Sequence, residues 1–305
     1  EVIDQCIEGG VKMGEGVNQY QCPSCNAIVF TQDYSAKMKC AYCMTELAAF
    51  GNGEGELSPE KVIPFKIDEK GARNAFYRWW MSKETMREYV EEKMKPEFHH
   101  IYVPVWLFDA EAKANLRFHG TRLRTWSDSN YIYTETRHYS IHRGGDLAFL
   151  DVPVDGSTKM PDDLMESIEP FDAEAAKDFT IAYLSGYQAQ RHDVGAQACQ
   201  GRANDRIRNS TEQAFRDTVL GYATVIPEKT NIALKNASVR YALLPAWILT
   251  TQYKDKKYTF AMNGQTGKFV GNLPVDWGKF FLWLIGLGIG IAAIIFLILL
   301  VLGIR

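Results

Sequence analysis

Tyr102-Val-Pro-Val-Trp-Leu-Phe108 and Leu243-Leu-Pro-Ala-Trp-Ile-Leu249 are two apolar runs built around the same Pro-x-Trp centre. Short runs of this kind, rich in β-branched and aromatic residues, read as buried strands. Val152-Pro-Val-Asp155 lies downstream of the first run and Leu273-Pro-Val-Asp276 downstream of the second, in the same order. Two patterns recurring in one order predict a duplicated β unit, about 97-155 and 237-276, with the Pro-x-Trp segments as equivalent strands and both tryptophans in the core. Chance likeness between two short motifs is the competing reading.

Further strands are expected at Tyr131 to Ile141 and Leu147 to Val154, with a meander over Val239 to Val270 turning at Lys254-Asp255-Lys256 and Asn263-Gly264. Helical spacing runs from Glu69 to about Lys95, with Ala72, Ala75, Phe76, Trp79 and Trp80 on one side, a break near Ser82 and Pro96 closing it. Pro161-Asp-Asp163 suits a helix start, where the carboxylates oppose the dipole, so capping accounts for these acids without catalysis. A second helix, Asp193 to Leu220, carries Val194, Ala198, Ile207, Ala214 and Phe215 as sparse apolar positions. The expected class is α+β.

Before this body stand Cys22-Pro-Ser-Cys25 and Cys40-Ala-Tyr-Cys43, two knuckles with fourteen residues between them. Paired CxxC turns bring four thiolates to one ion and close a tetrahedral structural site, which leaves no position open for catalysis. Two disulfides or a redox CxxC compete, but neither needs paired knuckles and no βαβ pattern surrounds them. Cys22, Cys25, Cys40 and Cys43 are therefore the expected ligands of a structural Zn2+, and Cys6 and Cys199 ordinary thiols. Thiolate ligation favours a reducing compartment, placing the soluble part in the cytoplasm. The ribbon is expected over residues 20-50 after an N-terminal segment, 1-19. Glycine-rich 51-60 reads as a flexible linker that makes the ribbon a separate lobe.

Beyond the body, 61-276, the stretch from Phe280 to Leu302 has no charged or strongly polar side chain. At 1.5 Å per residue it reaches roughly 35 Å, enough for a bilayer core. Trp277 and Trp283 suit interfacial positions and Lys279 the water side, so 277-305 is expected to be a single transmembrane anchor at the C-terminal end. Gly286 and Gly290 would let a second helix approach closely. The residues supplied show no secretory signal.

A net charge of -3 with 12% aromatic and 23% charged residues fits neither a disordered tail nor a polybasic nucleic-acid binder. Within the ribbon Asp33, Lys37, Lys39 and Glu46 cancel, which argues against phosphate binding. Gly264-Gln-Thr-Gly-Lys268 lacks the first glycine and the Ser/Thr of a phosphate loop and reads as a hairpin turn. His138 and His142 share a strand face, but no nucleophile elbow, HExxH helix or dinucleotide fingerprint accompanies them.

The knuckles resemble those of transcription factor IIB-type zinc ribbons, with Asn26 and Met44 in place of that pattern's two glycines. The order of ribbon, Tyr102-Val-Pro-Val-Trp-Leu-Phe-Asp109, Val152 to Asp163, Ile168-Glu-Pro-Phe-Asp172, Tyr183-Leu-Ser-Gly-Tyr187 and Gly264 to Lys268 resembles a family of Firmicutes zinc-ribbon membrane proteins, the YdjG-like proteins. Some are encoded beside phage-shock protein A and a flotillin-like SPFH protein, and many carry a primosomal-helicase label that this chain, lacking a nucleotide loop, does not support. The resemblance implies a non-enzymatic membrane adaptor or scaffold for phage-shock protein A-like and SPFH-like proteins on the cytoplasmic face of a bacterial membrane. The competing expectations are a membrane-tethered nucleic-acid-binding ribbon and an enzyme with an unrecognised site in the β body.

Overall fold

The computed structural model describes residues 11-33, 38-81, 97-253, 256-271 and 277-301. Among these residues eleven strands join one mixed sheet, in the main order β11-β10-β9-β5-β8-β2-β1-β3. The strands are β1 Asn18–Gln21, β2 Ile28–Thr31, β3 Ala48–Asn52, β4 Lys61–Val62, β5 Glu97–Ser127, β6 Ile132–Asp155, β7 Lys177–Asp178, β8 Gln188–Gln190, β9 Thr224–Tyr253, β10 Lys256–Asn263 and β11 Phe269–Gly271. The helices are α1 Glu69–Met81, α2 Asp162–Ile168, α3 Ala196–Asp217 and α4 Trp277–Val301. The chain is thus α+β.

The two Pro-x-Trp segments are antiparallel neighbours at the centre of the sheet. Val103 pairs with Leu244, Tyr102 with Pro245 and Pro104 with Leu243, so each segment meets the other about a local two-fold point. Both sheet faces are covered here. Ile101, Val103, Val105 and Leu107 pack with the ribbon and α2, whereas Tyr102, Trp106 and Phe108 pack with α3. Burial on both faces is why these strands read as continuous apolar runs.

The surroundings of the two tryptophans match bond for bond. Trp106 Nε1 donates to Val194 O at 2.8 Å, and Trp247 Nε1 to Ile67 O at 3.1 Å. Gly156 N donates to Pro104 O at 3.0 Å, and Gly264 N to Pro245 O at 2.9 Å. The carbonyl of Gly156 accepts from Asp193 N and Val194 N, and that of Gly264 from Lys66 N and Ile67 N. α3 follows the first of these segments, α1 the second. A Cβ on Gly156 would lie 3.2 Å from the Trp106 indole, and one on Gly264 2.7 Å from the Phe65 ring, so both positions require glycine's close approach. The structural counterpart of Asp155-Gly156 is therefore Asn263-Gly264, whereas Leu273 to Asp276 lies outside the described residues.

β5 and β9 continue far beyond the strands read from sequence, and β6 joins the two expected at Tyr131 to Ile141 and Leu147 to Val154 into one. From Ala110 to Gly120 the even-numbered residues of β5 are buried and the odd-numbered ones mostly exposed, and beyond Thr121 every residue is exposed. Ala110, Ala112 and Ala114 are small enough for α3 to seat Ala203, Ile207 and Thr211 close to the sheet. Of the sparse apolar positions read on this helix, Ile207 is buried, whereas Ala198 and Ala214 are exposed. The arm leaves the body at a double bulge, where the ladders shift at Phe108/Ala110 and Asp109/Glu111. Arg240 Nη2 fastens it, reaching Asp109 Oδ2 at 2.9 Å and Asp151 Oδ1 at 2.8 Å.

The separate-lobe expectation is corrected. β2 pairs with β8 through Val29–Gln190 and Phe30–Ala189, which makes the ribbon part of the body sheet. Residues 51-60 are not a loose linker either. Gly53 N donates to Val17 O, Gly55 N to Met13 O and Glu60 N to Tyr241 O, and Ser58 is buried. Turn-rich composition signalled the backbone conformation there, but not the partners that fix it. The expected second half of the helix after α1, the break near Ser82 and Cys6 lie outside the described residues.

α4 is continuous from Trp277 to Val301, with side chains from Phe281 to Phe296 all exposed. That run of described side chains covers only about 24 Å. Counted on the described residues, no helix is long and apolar enough to cross a membrane.

Candidate metal centre

Each knuckle is a tight turn closed by the same two bonds. Asn26 N donates to Cys22 O at 2.9 Å and Cys22 N to Ala27 O at 2.8 Å; Met44 N donates to Cys40 O at 2.9 Å and Cys40 N to Thr45 O at 2.9 Å. The turns need a left-handed residue after the second cysteine, and Asn26 and Met44 supply it at φ 58° and 67°. Asn adopts that region readily, whereas a side chain such as methionine's costs roughly 1–2 kcal/mol there. Met44→Gly is expected to raise stability by about 1 kcal/mol, read as a higher midpoint in thermal unfolding of the metal-loaded chain. A lower midpoint would mean that the Met44 side chain contributes packing that outweighs the backbone relief.

The four sulfurs of Cys22, Cys25, Cys40 and Cys43 lie within 4.8 Å of one another, close enough to hold one metal ion. Cys22 Sγ is 3.2 Å from Cys43 Sγ, and Cys25 Sγ 3.6 Å from Cys40 Sγ. A tetrahedron with ligand bonds near 2.3 Å has edges of about 3.8 Å, so the donor set is compatible with structural zinc. Burial pushes the Cys25 and Cys40 thiols up, the latter strongly. Cys43 also feels burial, but hydrogen bonding at Thr45 and to its sister thiols outweighs it and brings the thiol down to about 6. A bound cation reverses the cost of burial by holding every sulfur as thiolate.

The second knuckle is keyed into the body. Tyr42, between its two cysteines, is buried and donates its hydroxyl to Gln190 Oε1, and Gln190 Nε2 donates to Ser157 Oγ. Ser157 N donates to Asp155 Oδ1 at 3.0 Å. Lys39 Nζ adds an ion pair with Glu97 at 3.0 Å. Sequence reading ranked neither Tyr42 nor Gln190, because one tyrosine in a knuckle carries no local signal for a partner in a remote strand. Tyr42→Phe strands a buried carbonyl on Gln190 and is expected to cost about 1–3 kcal/mol. Chemical denaturation of both proteins with zinc bound measures it, and an equal midpoint would show that the hydroxyl does not fasten the ribbon.

His138 lies on the exposed face of the arm, its Nδ1 2.9 Å from Nε2 of His119, and His142 lines a shallow hollow with Lys113, Asn115 and Asn231. These histidines do not gather with carboxylates in a cleft. A cavity of about 270 Å3 lies between β9 and the segment after α2, lined by Lys61, Asp151, Glu169 and Arg240 among apolar groups. Its charged walls are engaged with one another and with their neighbours. Lys61 pairs with Asp178, Arg240 with Asp109 and Asp151, and Glu169 with Arg206. Gly264 to Lys268 forms the turn between β10 and β11.

No protein-family model matches the chain, and no solved structure matches it. A protein of Bacillus subtilis (strain 168), uncharacterized protein YdjG, is 36% identical over 237 residues, which is 77% of this chain and 70% of the relative. With two thirds of that relative covered at this identity, the chain belongs to the YdjG family.

Proposed function

We propose that the chain is a non-catalytic adaptor, held in a bacterial membrane by α4, whose zinc-bound ribbon and β body form one rigid docking platform on the cytoplasmic face. The observation that carries the reading is α4 itself, a 25-residue helix whose sequence has one charged residue, Lys279, near its start. The helix in full is about 37 Å long, against the roughly 30 Å of a hydrocarbon core. Its side chains from Phe281 to Phe296 are exposed and almost all apolar, which suits lipid. Gly286 and Gly290 offer a face for a second helix. The metal is Zn2+, with a structural role, since four sulfurs leave no coordination site open. The two Pro-x-Trp units are read as copies of one unit, because their bonds to glycine and to the preceding segment coincide.

The partners proposed are phage-shock protein A-like and SPFH-like proteins. Affinity purification of the intact chain from detergent-solubilised membranes, beside a variant with all four ligands changed to serine, tests this. Recovery of such proteins by the zinc-bound chain alone supports the adaptor. Recovery of nucleic acid in their place would favour a nucleic-acid-binding ribbon.

A further inference from the structure

The β5–β6 hairpin outruns its third strand. β9 stops opposite Thr121, at Thr224, while the β5–β6 ladder continues to Ser127 opposite Ile132. The free ribbon projects roughly 20 Å past the last three-stranded register. On that overhang Ile132 is 78%, Tyr131 66% and Leu123 59% exposed, and Trp126 stacks on Tyr133 at 5.7 Å with both rings open to solvent. Large apolar groups clustered at an exposed tip mark an interaction site.

Charge and composition identify the occupant. The acids of the tip are engaged locally. Asp128 accepts from the turn amides of Asn130 and Tyr131, and Glu135, which faces Arg124 across the ladder, is held by Arg137 on its own strand at 2.8 Å. Arg122 and Arg124 stand one step behind the rings, the first over Tyr139 and Tyr222 and the second over Trp126. Tryptophan and tyrosine with an apolar body and a polar handle, aliphatics at the extremity and guanidinium groups behind them are the chemistry of a bilayer interface with anionic headgroups. Exposed Leu123 and Ile132 have nothing to stack on or bond to in a nucleic acid, so that partner fits less well.

We propose that the hairpin tip, 122-137, is a second membrane contact, in which Trp126, Tyr131, Ile132 and Tyr133 enter the headgroup layer of an anionic bilayer and Arg122 and Arg124 meet its phosphates. The site is built from β5 and β6 alone and does not depend on the anchor reading.

The full chain would be reconstituted in phosphatidylcholine nanodiscs and floated with phosphatidylglycerol-containing or pure phosphatidylcholine vesicles. Capture by the anionic vesicles is expected. It should fall about five-fold per arginine, roughly thirty-fold for Arg122→Gln with Arg124→Gln. It should be lost in Trp126→Ala with Ile132→Ala, with the thermal midpoint unchanged because both side chains are exposed. Equal capture by both vesicle types, or by wild type and variants, would overturn the proposal. So would binding of a labelled nucleic-acid duplex without vesicle capture. A chain that leaves the discs tells against the anchor alone, and its own flotation then reads the tip directly.

Discussion

Removing the metal with a strong chelator, or changing Cys40 to serine, is expected to melt the ribbon and to lower the unfolding midpoint of the β body as well. A structural zinc site contributes roughly 10–16 kcal/mol of apparent binding energy at neutral pH, and that energy is folding energy for a module too small to hold a core. The loss spreads because the ribbon shares its core with the body. Tyr20, Val29, Tyr42 and Leu47 lie in one apolar cluster with Ile101, Val103, Leu244 and Ile248. Once the knuckles open, the β2–β8 ladder and the Tyr42–Gln190 bond go with them. In a body of this size a few transmitted kcal/mol lower the midpoint by roughly 10 °C. Thermal unfolding followed by near-ultraviolet circular dichroism, with zinc content measured on the same samples, checks it. A zinc-free chain whose body melts at the original temperature would show that the ribbon is an independent lobe after all.

Asp155→Asn is expected to stabilise the chain, and more so at high pH. Burial, slightly offset by the Ser157 amide, raises the Asp155 carboxyl to about 7, and its Oδ2 has no hydrogen-bond partner. A carboxyl raised on folding favours the folded state fully only below its unfolded value near 4, and that advantage is lost as pH rises through about 7. Relative to a side chain that does not titrate, the wild type should forfeit about 2 kcal/mol at pH 5.5 and about 4 kcal/mol at pH 8.5. The counterpart position already holds the amide. Asn263 Oδ1 accepts from Gln265 N at 2.8 Å, as Asp155 Oδ1 accepts from Ser157 N, and Asn263 Nδ2 donates to Ile168 O and Pro170 O. Denaturant titrations of the zinc-bound wild type and variant at the two pH values measure the gap. A gap that is constant or narrows toward high pH would mean that Asp155 is ionised at little cost.

The parts of the fold that were legible in the sequence are those in which chemistry forces a local pattern. Four thiolates around one ion require two tight turns at fixed spacing, so Cys22, Cys25, Cys40 and Cys43 could be grouped from sequence alone. Segments buried on both faces, such as Tyr102 to Phe108, must be apolar throughout. Of the arm, β6 was legible as Tyr131 to Ile141 and Leu147 to Val154, but β5 past Phe108 escaped notice because its buried face, Ala110, Ala112, Ala114, Leu116, Phe118 and Gly120, opens with three alanines whose alternation with polar residues is too faint to register as a strand. The attachment of the ribbon escaped too. Glycine-rich 51-60 has the composition of a mobile connection, and only long-range bonds from Met13, Val17 and Tyr241 decide otherwise. Among the site residues, Tyr42, Gln190, Ser157 and Asp155 become neighbours through the sheet order alone.

The double bulge pinned by Arg240 has a mechanical consequence. From Asp109 to Ser127 the arm extends for roughly 60 Å as a stiff sheet. A bend of about 10° at the bulge would therefore sweep its far end through roughly 10 Å. Arg240 and its two carboxylates sit at the fulcrum of a lever, where a small adjustment in the body sheet is magnified several-fold at the outer tip.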